Sequence, residues 1–494
     1  MIRNGFDNDK YLRLQSEMIE ERISNFGGKL YLEFGGKLFD DFHASRVLPG
    51  FHPDSKINML LQLKDQAEII LVINSADIEK NKVRGDLGIT YDLDVLRLID
   101  AFRGNGLLVG SVVLTRYQDQ PAAEAFITRL ETLGVKVYRH YPIPGYPSDI
   151  ETIVSENGFG RNDYIETSRP LIVVTAPGPG SGKMATCLSQ LYHENKRGIK
   201  AGYAKFETFP IWNLPLKHPV NLAYEAATAD LDDVNMIDPF HLEAYGKTAV
   251  NYNRDVEIFP VLNAIFQTIY GESPYKSPTD MGVNMAGNCI TDDEAVQAAA
   301  REEIIRRYYS ALCEERQGLG SEEATSKLRL LMTQAGISPT NRPVVAAALE
   351  KEAATGAPAF AIELNDGRIV TGKTSSLLGA PSAAILNALK VCCGMDDSVL
   401  LMSPDVIEPI QDLKVNHLGN HNPRLHTDET LLALSICASQ EKLASEAIGA
   451  LAQLRDCEAH STVMLSQLDA STIRKLGIHL TCEPKHQTKK LFHY

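Results

Sequence analysis

A glycine-rich loop between a predicted strand and a predicted helix has the composition of a phosphate-binding loop. It reads PGPGSGK at residues 177–183 and follows the apolar run 171–175. Its glycines allow the backbone to approach an anion, and the N-terminal end of the following helix favours negative charge there. The lysine adds a point charge. The residues predicted to hold phosphate are Gly178, Gly180, Ser181, Gly182 and Lys183.

The loop departs from the phosphate-loop consensus G-x-x-x-x-G-K-[ST] at both ends. Pro177 stands in place of the first glycine, and Met184 stands where a Ser or Thr hydroxyl usually contacts Mg²⁺. Thr186 lies two helical residues further on, about 200° around the helix axis, so it is no simple substitute. The sequence therefore supports phosphate binding better than ATP hydrolysis. The alternative is a plain strand-to-helix turn with a solvated lysine.

A second stretch, GRIVTGKT at residues 367–374, matches the consensus in full. Its central residues are mostly β-branched and favour a strand rather than a turn around an anion. Asp366-Gly367 is typical of a hairpin turn. We therefore predict a β-hairpin here.

Charged residues follow several predicted strands of the N-terminal half. Ligands of open α/β sheets bind at the carboxyl ends of the strands, so these residues predict a charged edge that binds a phosphorylated or carboxylated ligand. Solvated loops with ion pairs are the alternative. The basic residues are Lys80, Lys82, Arg84, Arg116, Arg139, His140, Lys183 and Lys205. The candidate catalytic residues, for charge stabilisation or acid–base chemistry, are Lys205, Glu207 and Asp230.

An aspartate-rich segment surrounds the last of these candidates. It contains Asp230, Asp232, Asp233 and Asp238. Such carboxylates could hold a metal or act as a general base, and they could equally cap helices. Further on, Arg254 could contact a phosphate or simply lie at the start of a helix.

The histidines give little support for a metal site. His417, His421 and His426 lie in one loop, and no cysteine lies nearby. Gly419 and Pro423 break the helix that would place the three histidines on one face. His241 and Glu243 lack the second histidine of an HExxH motif. No metal ligands are predicted.

Apolar runs alternate with helical stretches over the first 206 residues. The runs are 68–73, 107–114, 135–138, 171–175 and 201–206, and the helical stretches are 56–66, 92–103, 121–133 and 183–196. This alternation predicts βαβ units and a mainly parallel sheet. Two FGGKL segments flank the apolar YLEF at residues 31–34, which predicts a short strand between tight turns, with a hairpin as one arrangement.

Residues from about 220 to 330 are predicted to be helical. A smaller α/β unit is predicted to follow them. That unit is expected to contain the hairpin and strands at 398–402, 461–465 and 478–482. The fold class is α/β, with a large, mainly parallel, Rossmann-like or P-loop-like sheet that carries helices on both faces. The predicted domains are a Rossmann-like domain at 1–165, a P-loop-like region with a helical extension at 166–330, and a C-terminal α/β domain at 331–494.

Composition narrows the classes of partner. The chain has 494 residues, 44% hydrophobic residues and a formal net charge of −14. This acidity argues against nucleic acid or an anionic membrane as the main partner. No apolar run is long enough to span a bilayer, and the N-terminus does not read as a signal peptide. The eight scattered cysteines indicate reduced thiols, so we expect a cytoplasmic protein.

Several long blocks resemble one bacterial family. They include RGDLGITYDLDVLRLID at 84–100, TAPGPGSGKMATCLSQLYHE at 175–194 and GKTSSLLGAPSAAILNALK at 372–390. The chain resembles uncharacterised protein family 0371, also catalogued as domain of unknown function eighteen-forty-six, over essentially its whole length. The resemblance implies no reaction and no catalytic residues. Some members carry an ATP-dependent zinc-protease label, which the missing HExxH motif contradicts here.

The functional hypothesis is a protein that binds a nucleotide or another phosphorylated small molecule at the 178–183 loop, as a phosphoryl-transfer enzyme of the kinase or ligase type. The candidate cofactor is ATP or another nucleotide with Mg²⁺. The alternative is a non-catalytic metabolite-binding or regulatory protein that uses the same loop. A Rossmann oxidoreductase is disfavoured because no G-x-G-x-x-G with a following acidic residue is present. A homo-oligomer is expected.

Overall fold

The computed structural model describes residues 4–39, 41–84, 87–231 and 233–487. They group into two compact units. The N-terminal unit comprises Asn4–Tyr224 and Asp233–Gln297. The C-terminal unit comprises the described residues 225–231 and 298–487. The three domains predicted from the sequence stay a prediction.

The N-terminal unit contains a seven-stranded sheet in the order β11-β8-β1-β7-β2-β5-β6. Every neighbouring pair in it is parallel, which confirms the predicted mainly parallel sheet. Central strands such as β7 are buried along their whole length, as expected where helices cover both faces. The sheet strands are β1 (Leu30–Phe34), β2 (Ala67–Asn74), β5 (Leu108–Thr115), β6 (Lys136–Arg139), β7 (Leu171–Thr175), β8 (Gly202–Phe206) and β11 (Gly282–Val283).

The described residues of this unit also form two short antiparallel strand pairs outside the large sheet. The first pair consists of β3 (Val83–Arg84) and β4 (Ile89–Thr90), and the second of β9 (Asn235–Ile237) and β10 (Val250–Tyr252).

Helices of the N-terminal unit lie on both faces of the sheet. The helices that belong wholly or partly to this unit are α1 (Asn8–Asn25), α2 (Phe42–Val47), α3 (Ser55–Gln62), α4 (Ser75–Glu79), α5 (Tyr91–Gly104), α6 (Pro121–Thr132), α7 (Ile150–Ile153), α8 (Lys183–Lys196), α9 (Pro219–Ala227), α10 (Pro239–Tyr245), α11 (Asn253–Tyr270), α12 (Pro278–Met281) and α13 (Asp293–Arg316). The two units divide within α9 and within α13.

Side chains of the sheet alternate between two apolar cores, because successive residues of a strand point to opposite faces. Ile69 and Leu71 of β2 join the core formed with α1, α3, α5 and α6. Ile70 and Val72 join the core formed with α8 and α11. The loops at the carboxyl ends of the strands are therefore carried by a framework that is packed on both sides.

The C-terminal unit contains a four-stranded mixed sheet in the order β13-β12-β14-β15. Its strands are β12 (Ala359–Glu363), β13 (Ile369–Lys373), β14 (Glu458–Ser461) and β15 (His479–Cys482). Its helices are α14 (Glu322–Gln334), α15 (Pro343–Thr355), α16 (Ala380–Cys392), α17 (Pro404–Asp412), α18 (Thr427–Cys437), α19 (Lys442–Gly449) and α20 (Gln467–Lys475), and a π-helical turn spans Leu413–His417.

The hairpin prediction at the full consensus match is confirmed. Strands β12 and β13 pair antiparallel, and Gly367 in the turn between them has φ +86°. A residue with positive φ in a tight turn favours glycine, so this glycine serves the hairpin.

Three strand predictions are wrong in detail. The YLEF segment forms β1, which pairs parallel with β7 and β8 in the middle of the large sheet rather than in a hairpin. Residues 398–402 form turns and coil, not a strand. The strand expected at 461–465 is β14, Glu458–Ser461, which shares only Ser461 with the prediction. These errors arise because a short apolar run reveals neither its partner strands nor its bounds, and burial against a helix layer satisfies it equally well.

Candidate functional site

The predicted phosphate loop lies between β7, which ends at Thr175, and α8, which begins at Lys183. Gly180 has φ +73°, and Gly182, the residue before the first helical turn, has φ +94°. Both are left-handed conformations that glycine adopts without a steric penalty. The chain therefore turns sharply from the strand into the helix at these two glycines.

Neighbouring elements pack closely around this loop. A Cβ atom on Gly178 would lie 2.4 Å from the Tyr91 hydroxyl oxygen, and one on Gly182 would lie 3.0 Å from Thr115 Cγ2. The Thr115 hydroxyl, at the end of β5, donates to the Ser181 carbonyl at 2.6 Å. The Ser181 hydroxyl donates to the Gly178 carbonyl at 2.6 Å. The loop is thus held from both sides, and the serine hydroxyl is used to brace it.

The N-terminal end of α8 presents its N–H groups to this loop. The first helical hydrogen bond runs from the Thr186 N–H to the Gly182 carbonyl at 2.9 Å. The N–H groups of the preceding turn have no carbonyl within the helix, and Gly182 at the N-cap position has no side chain to cap them. Such a helix end is suited to an anion, because its N–H groups and the helix dipole both favour negative charge.

The charged edge contains both paired and unpaired cations. Among the described residues, Lys183 and Arg116 form no ion pair, and neither does the exposed Lys80. His140 is buried against the Asp163 carbonyl. The paired cations are Lys82 with Asp77, Arg84 with Asp94, Arg139 with Glu124, and Lys205 with Glu207 and Asp255. Only part of the predicted edge is therefore available to an anionic ligand.

Two of the three predicted catalytic residues lie together in a buried cluster at the end of β8. Lys205 Nζ is 2.7 Å from Glu207 Oε1 and 2.5 Å from Asp255 Oδ2, and its side chain is 9% exposed. Lys205 also donates to the Tyr252 hydroxyl, which donates to Glu207 Oε1 at 3.1 Å. We call Lys205, Glu207, Tyr252 and Asp255 the lysine cluster.

Burial and neighbouring charges shift the pKa values of Glu207 and Lys205 in the lysine cluster. Burial raises the pKa of Glu207 to about 7, Lys205 opposes this rise, and Asp255 adds to it. Burial disfavours the charge of Lys205, but the carboxylates of Asp255 and Glu207 hold its pKa well above its usual range. A carboxyl group that changes protonation near neutral pH can accept or donate a proton during catalysis.

Glu33 of β1 lies between the phosphate loop and the lysine cluster. It accepts a hydrogen bond from Tyr203 at 2.7 Å. Burial raises the pKa of the Cys187 thiol on α8, the charge of Glu33 raises it further, and Lys183 lowers it. Glu33 also interacts electrostatically with Lys205. The loop and the cluster therefore share one edge of the sheet, with a buried carboxylate between them.

The remaining predicted charges have other positions. Asp230 is exposed in the short helical turn Ala229–Leu231 of the C-terminal unit, and its catalytic role stays a prediction. Asp232 lies outside the described residues. Asp238 caps α10 through the His241 N–H. Asp233 pairs with Arg254 at 2.6 Å, so Arg254 lies at the start of α11 with its guanidinium already engaged.

Two of the predicted histidines of the C-terminal unit lie near aspartates. His417 Nε2 is 3.7 Å from Asp412, and His426 Nδ1 is 2.8 Å from Asp469. Within the described ranges, no group of three or more His, Cys, Asp or Glu side chains is arranged to hold a metal ion. In the same residues, no helix combines the length and the apolarity that crossing a membrane requires.

A pH-dependent stability difference is expected from Glu207. Its carboxyl group keeps a proton in the folded state up to pH of about 7, whereas the unfolded chain releases it near pH 4 to 5. The folded state therefore binds more protons in this window, and its stability falls as the pH rises. Wild type should lose stability from pH 5 to pH 8 relative to Glu207→Gln.

Urea unfolding at several pH values checks this expectation, with the fluorescence of Trp212 as the probe of the N-terminal unit. Glu257→Gln, an exposed position on α11, is the matched control and should leave the pH profile unchanged. Parallel profiles for wild type and Glu207→Gln would contradict the elevated pKa.

Sequence reasoning missed several members of this edge. Tyr252 ends β10 and Asp255 lies in the first turn of α11. Both follow Lys205 by about fifty residues in the chain, and no local pattern connects them. Glu33 offered a signal, because an acidic residue inside the apolar YLEF is unusual in a buried strand.

The comparisons with known proteins identify the family. A family model described as "Domain of unknown function DUF1846, N-terminal" matches residues 4–336. The corresponding C-terminal model matches residues 340–492.

Curated relatives cover the whole chain. A UPF0371 protein from Corynebacterium efficiens is 60% identical over 492 residues, which is 99% of each chain. UPF0371 proteins from Streptococcus thermophilus and Streptococcus pyogenes are each 58% identical, over 492 and 488 residues. The matches cover 100% of both chains for the first and 99% of both for the second. The chain therefore belongs to the UPF0371 family, with both the N-terminal and the C-terminal part of DUF1846.

Proposed function

We propose that this protein binds a nucleotide or another phosphorylated small molecule at the loop between β7 and α8. The observation that carries the proposal is the uncapped N-terminal end of α8, which faces the carboxyl edge of a parallel sheet with Lys183 outside any ion pair of the described residues. This is where open α/β sheets bind ligands and where helix ends bind phosphate.

The lysine cluster supports phosphoryl transfer as the reaction. Only β1 separates β7 from β8, and neighbouring strands are about 5 Å apart, so the loop and the cluster are about 10 Å apart across the sheet. A small ligand with its phosphate on the loop could extend toward Lys205 and Glu207. Lys205 would stabilise developing negative charge, and Glu207 would exchange a proton with the acceptor group.

A specific observation favours the second candidate, a non-catalytic metabolite-binding or regulatory protein. The Ser181 hydroxyl donates to the Gly178 carbonyl, and Met184 replaces the usual metal-binding hydroxyl. The loop itself therefore offers little to Mg²⁺, and binding would then not depend on the metal. The cytoplasmic homo-oligomer expected from the sequence also stays a prediction.

A thermal-shift screen tests the proposal. The probes are ATP, ADP, glucose 6-phosphate and inorganic phosphate, each with and without Mg²⁺. At least one is expected to stabilise wild type, and Lys183→Ala should weaken its binding about tenfold or more, because a hydrogen bond to a charged group contributes roughly 1.5–3 kcal/mol.

Lys196→Ala, at the opposite end of α8, is the matched control and should bind like wild type. A Mg²⁺-dependent shift with ATP would support phosphoryl transfer, whereas metal-independent binding of glucose 6-phosphate would support the second candidate. If no probe stabilises wild type, or if Lys183→Ala binds as well as wild type, the phosphate loop is refuted.

A further inference from the structure

A cavity of about 180 Å³ lies beside the lysine cluster, wholly within the N-terminal unit. Glu207 forms part of its wall, and α1 and the region around β11 form most of the rest. An apolar cavity of about 150 Å³ holds a benzene molecule. This cavity therefore has room for a molecule of roughly six to ten non-hydrogen atoms.

Arg22 and Glu207 face one part of this cavity, and each can form further hydrogen bonds. The only side-chain hydrogen bond of Arg22 among the described residues is a long one, 3.4 Å from Nη2 to the Gly282 carbonyl. Glu207 uses Oε1 for Lys205 and Tyr252, and Oε2 accepts no hydrogen bond from the described residues. A guanidinium and a carboxylate oxygen are thus both available to a ligand.

Gly282 lies between these two groups and keeps the space near them open. A Cβ atom on it would lie 4.0 Å from Glu207 Oε2 and 3.3 Å from the Thr279 carbonyl. Its backbone angles are φ −73° and ψ 148°, an extended conformation that any residue adopts. Backbone geometry therefore does not require glycine here, and the absence of a side chain widens the cavity.

The remaining wall has a polar and an apolar part. His241, Asn251, Thr279 and Asn284 form the polar part, and Met18, Pro210, Trp212, Val250 and Met285 form the apolar part. Trp212 is the only tryptophan of the chain, and its indole N–H is already bonded to the Asn284 carbonyl at 2.8 Å. The side chains of the apolar part would contact the apolar body of a ligand rather than a second charged group.

The charges select the class of ligand. A guanidinium binds a planar carboxylate through two parallel hydrogen bonds. Asp280 and His241 also line the cavity, with His241 Nδ1 3.8 Å from Asp280 Oδ1, so two carboxylates, one arginine and one histidine face the ligand. This balance disfavours a phosphate dianion and favours a molecule whose carboxylate is accompanied by an ammonium group.

We propose that this cavity binds a small amino acid, with its carboxylate on Arg22, its ammonium group toward Glu207 and Asp280, and its side chain against Trp212. Together with a phosphorylated ligand on the phosphate loop, this amino acid would be the second substrate, a role that rests on the proposed function. Binding in the cavity does not depend on it.

The fluorescence of Trp212 provides a direct readout of the cavity. Titration of the full chain at pH 8, where the Glu207 carboxyl group has lost its proton, with each of the twenty standard L-amino acids at millimolar concentrations is expected to change the emission for at least one of them. Ethanolamine, which lacks the carboxylate, and propionate, which lacks the ammonium group, should bind at least tenfold more weakly than that amino acid.

Two variants and one control test the contacts. Arg22→Gln should weaken binding about tenfold or more, and Gly282→Ala should weaken it by placing a methyl group near Glu207. Arg13→Gln is the matched control, because Arg13 lies on the same helix, exposed and paired with Glu17. It should bind like wild type. Thermal melts of both variants show whether they remain folded.

Three outcomes would overturn the inference. They are no change with any amino acid, equal binding by wild type and both folded variants, and stronger binding of inorganic phosphate than of any amino acid in this cavity. Lys183→Ala separates the two proposals. It should lose phosphate binding and keep the amino-acid response, so failure of one proposal leaves the other measurable.

Discussion

Replacing Lys205 by methionine is expected to lower the free energy of unfolding of the N-terminal unit by about 3–5 kcal/mol. Lys205 is the common partner of two buried carboxylates, Glu207 at 2.7 Å and Asp255 at 2.5 Å. Without it, two negative charges would face each other in a buried space. Methionine keeps much of the apolar stem, so the loss reports the charge rather than a cavity.

The size of this loss should depend on pH. Glu207, whose pKa burial raises to about 7, takes up a proton at acid pH and relieves the repulsion. The destabilisation should therefore be smaller at pH 5 than at pH 8, as measured by urea unfolding with Trp212 fluorescence.

The matched control is Lys196→Met. This change removes the exposed ion pair between Lys196 and Glu156, whose charged atoms are 3.0 Å apart. Exposed pairs contribute about 0–1 kcal/mol, so this variant should resemble wild type. If the Lys205→Met protein is as stable as wild type at pH 8, the result contradicts the burial of the lysine cluster.

Gly178→Ala is expected to weaken binding of the phosphate probe about tenfold or more. The new methyl carbon would lie 2.4 Å from the Tyr91 hydroxyl oxygen and 2.6 Å from Tyr91 Cζ. Normal contacts are roughly 1 Å longer, so the loop or Tyr91 must move by about that distance. Such a shift misplaces the N–H groups of the loop, and each lost hydrogen bond to an anion costs about 1.5–3 kcal/mol.

Two further variants isolate this cause. Gly198→Ala, just beyond the far end of α8, has φ +70° and nothing within 4 Å of its added Cβ, so it costs only backbone strain and should leave phosphate binding unchanged. In a Tyr91→Ala background, the penalty of Gly178→Ala should shrink, because the clashing ring is absent. An undiminished penalty in that background, measured by the same thermal-shift titration, would contradict the steric explanation.

The local patterns of the sequence predicted much of the framework. The helix expected at residues 183–196 is α8, and the strand expected at 171–175 is β7. Both have strong local signals, a glycine-rich junction and a strand with four consecutive apolar residues. The hairpin at Gly367 was also predictable, because β-branched residues and an Asp-Gly turn are local properties.

Strand partners were harder to predict. β1 was expected between tight turns, and it is the strand that separates β7 from β8. Its partners lie about 140 and 170 residues further along the chain, and a five-residue apolar run carries no information about them. For the same reason, an apolar run at 398–402 was mistaken for a strand.

The sequence by itself determined the α/β class, the family, and the strand–glycine–helix junction that ends at Lys183, because these depend on residues close together in the chain. Only the tertiary structure decided which charges act together. It joined Lys205 and Glu207 to Tyr252 and Asp255, placed Glu33 between them and the loop, and set Arg22 beside Gly282. The physical reason is that burial and pairing, which set the charge and reactivity of a side chain, arise from contacts between distant parts of the chain.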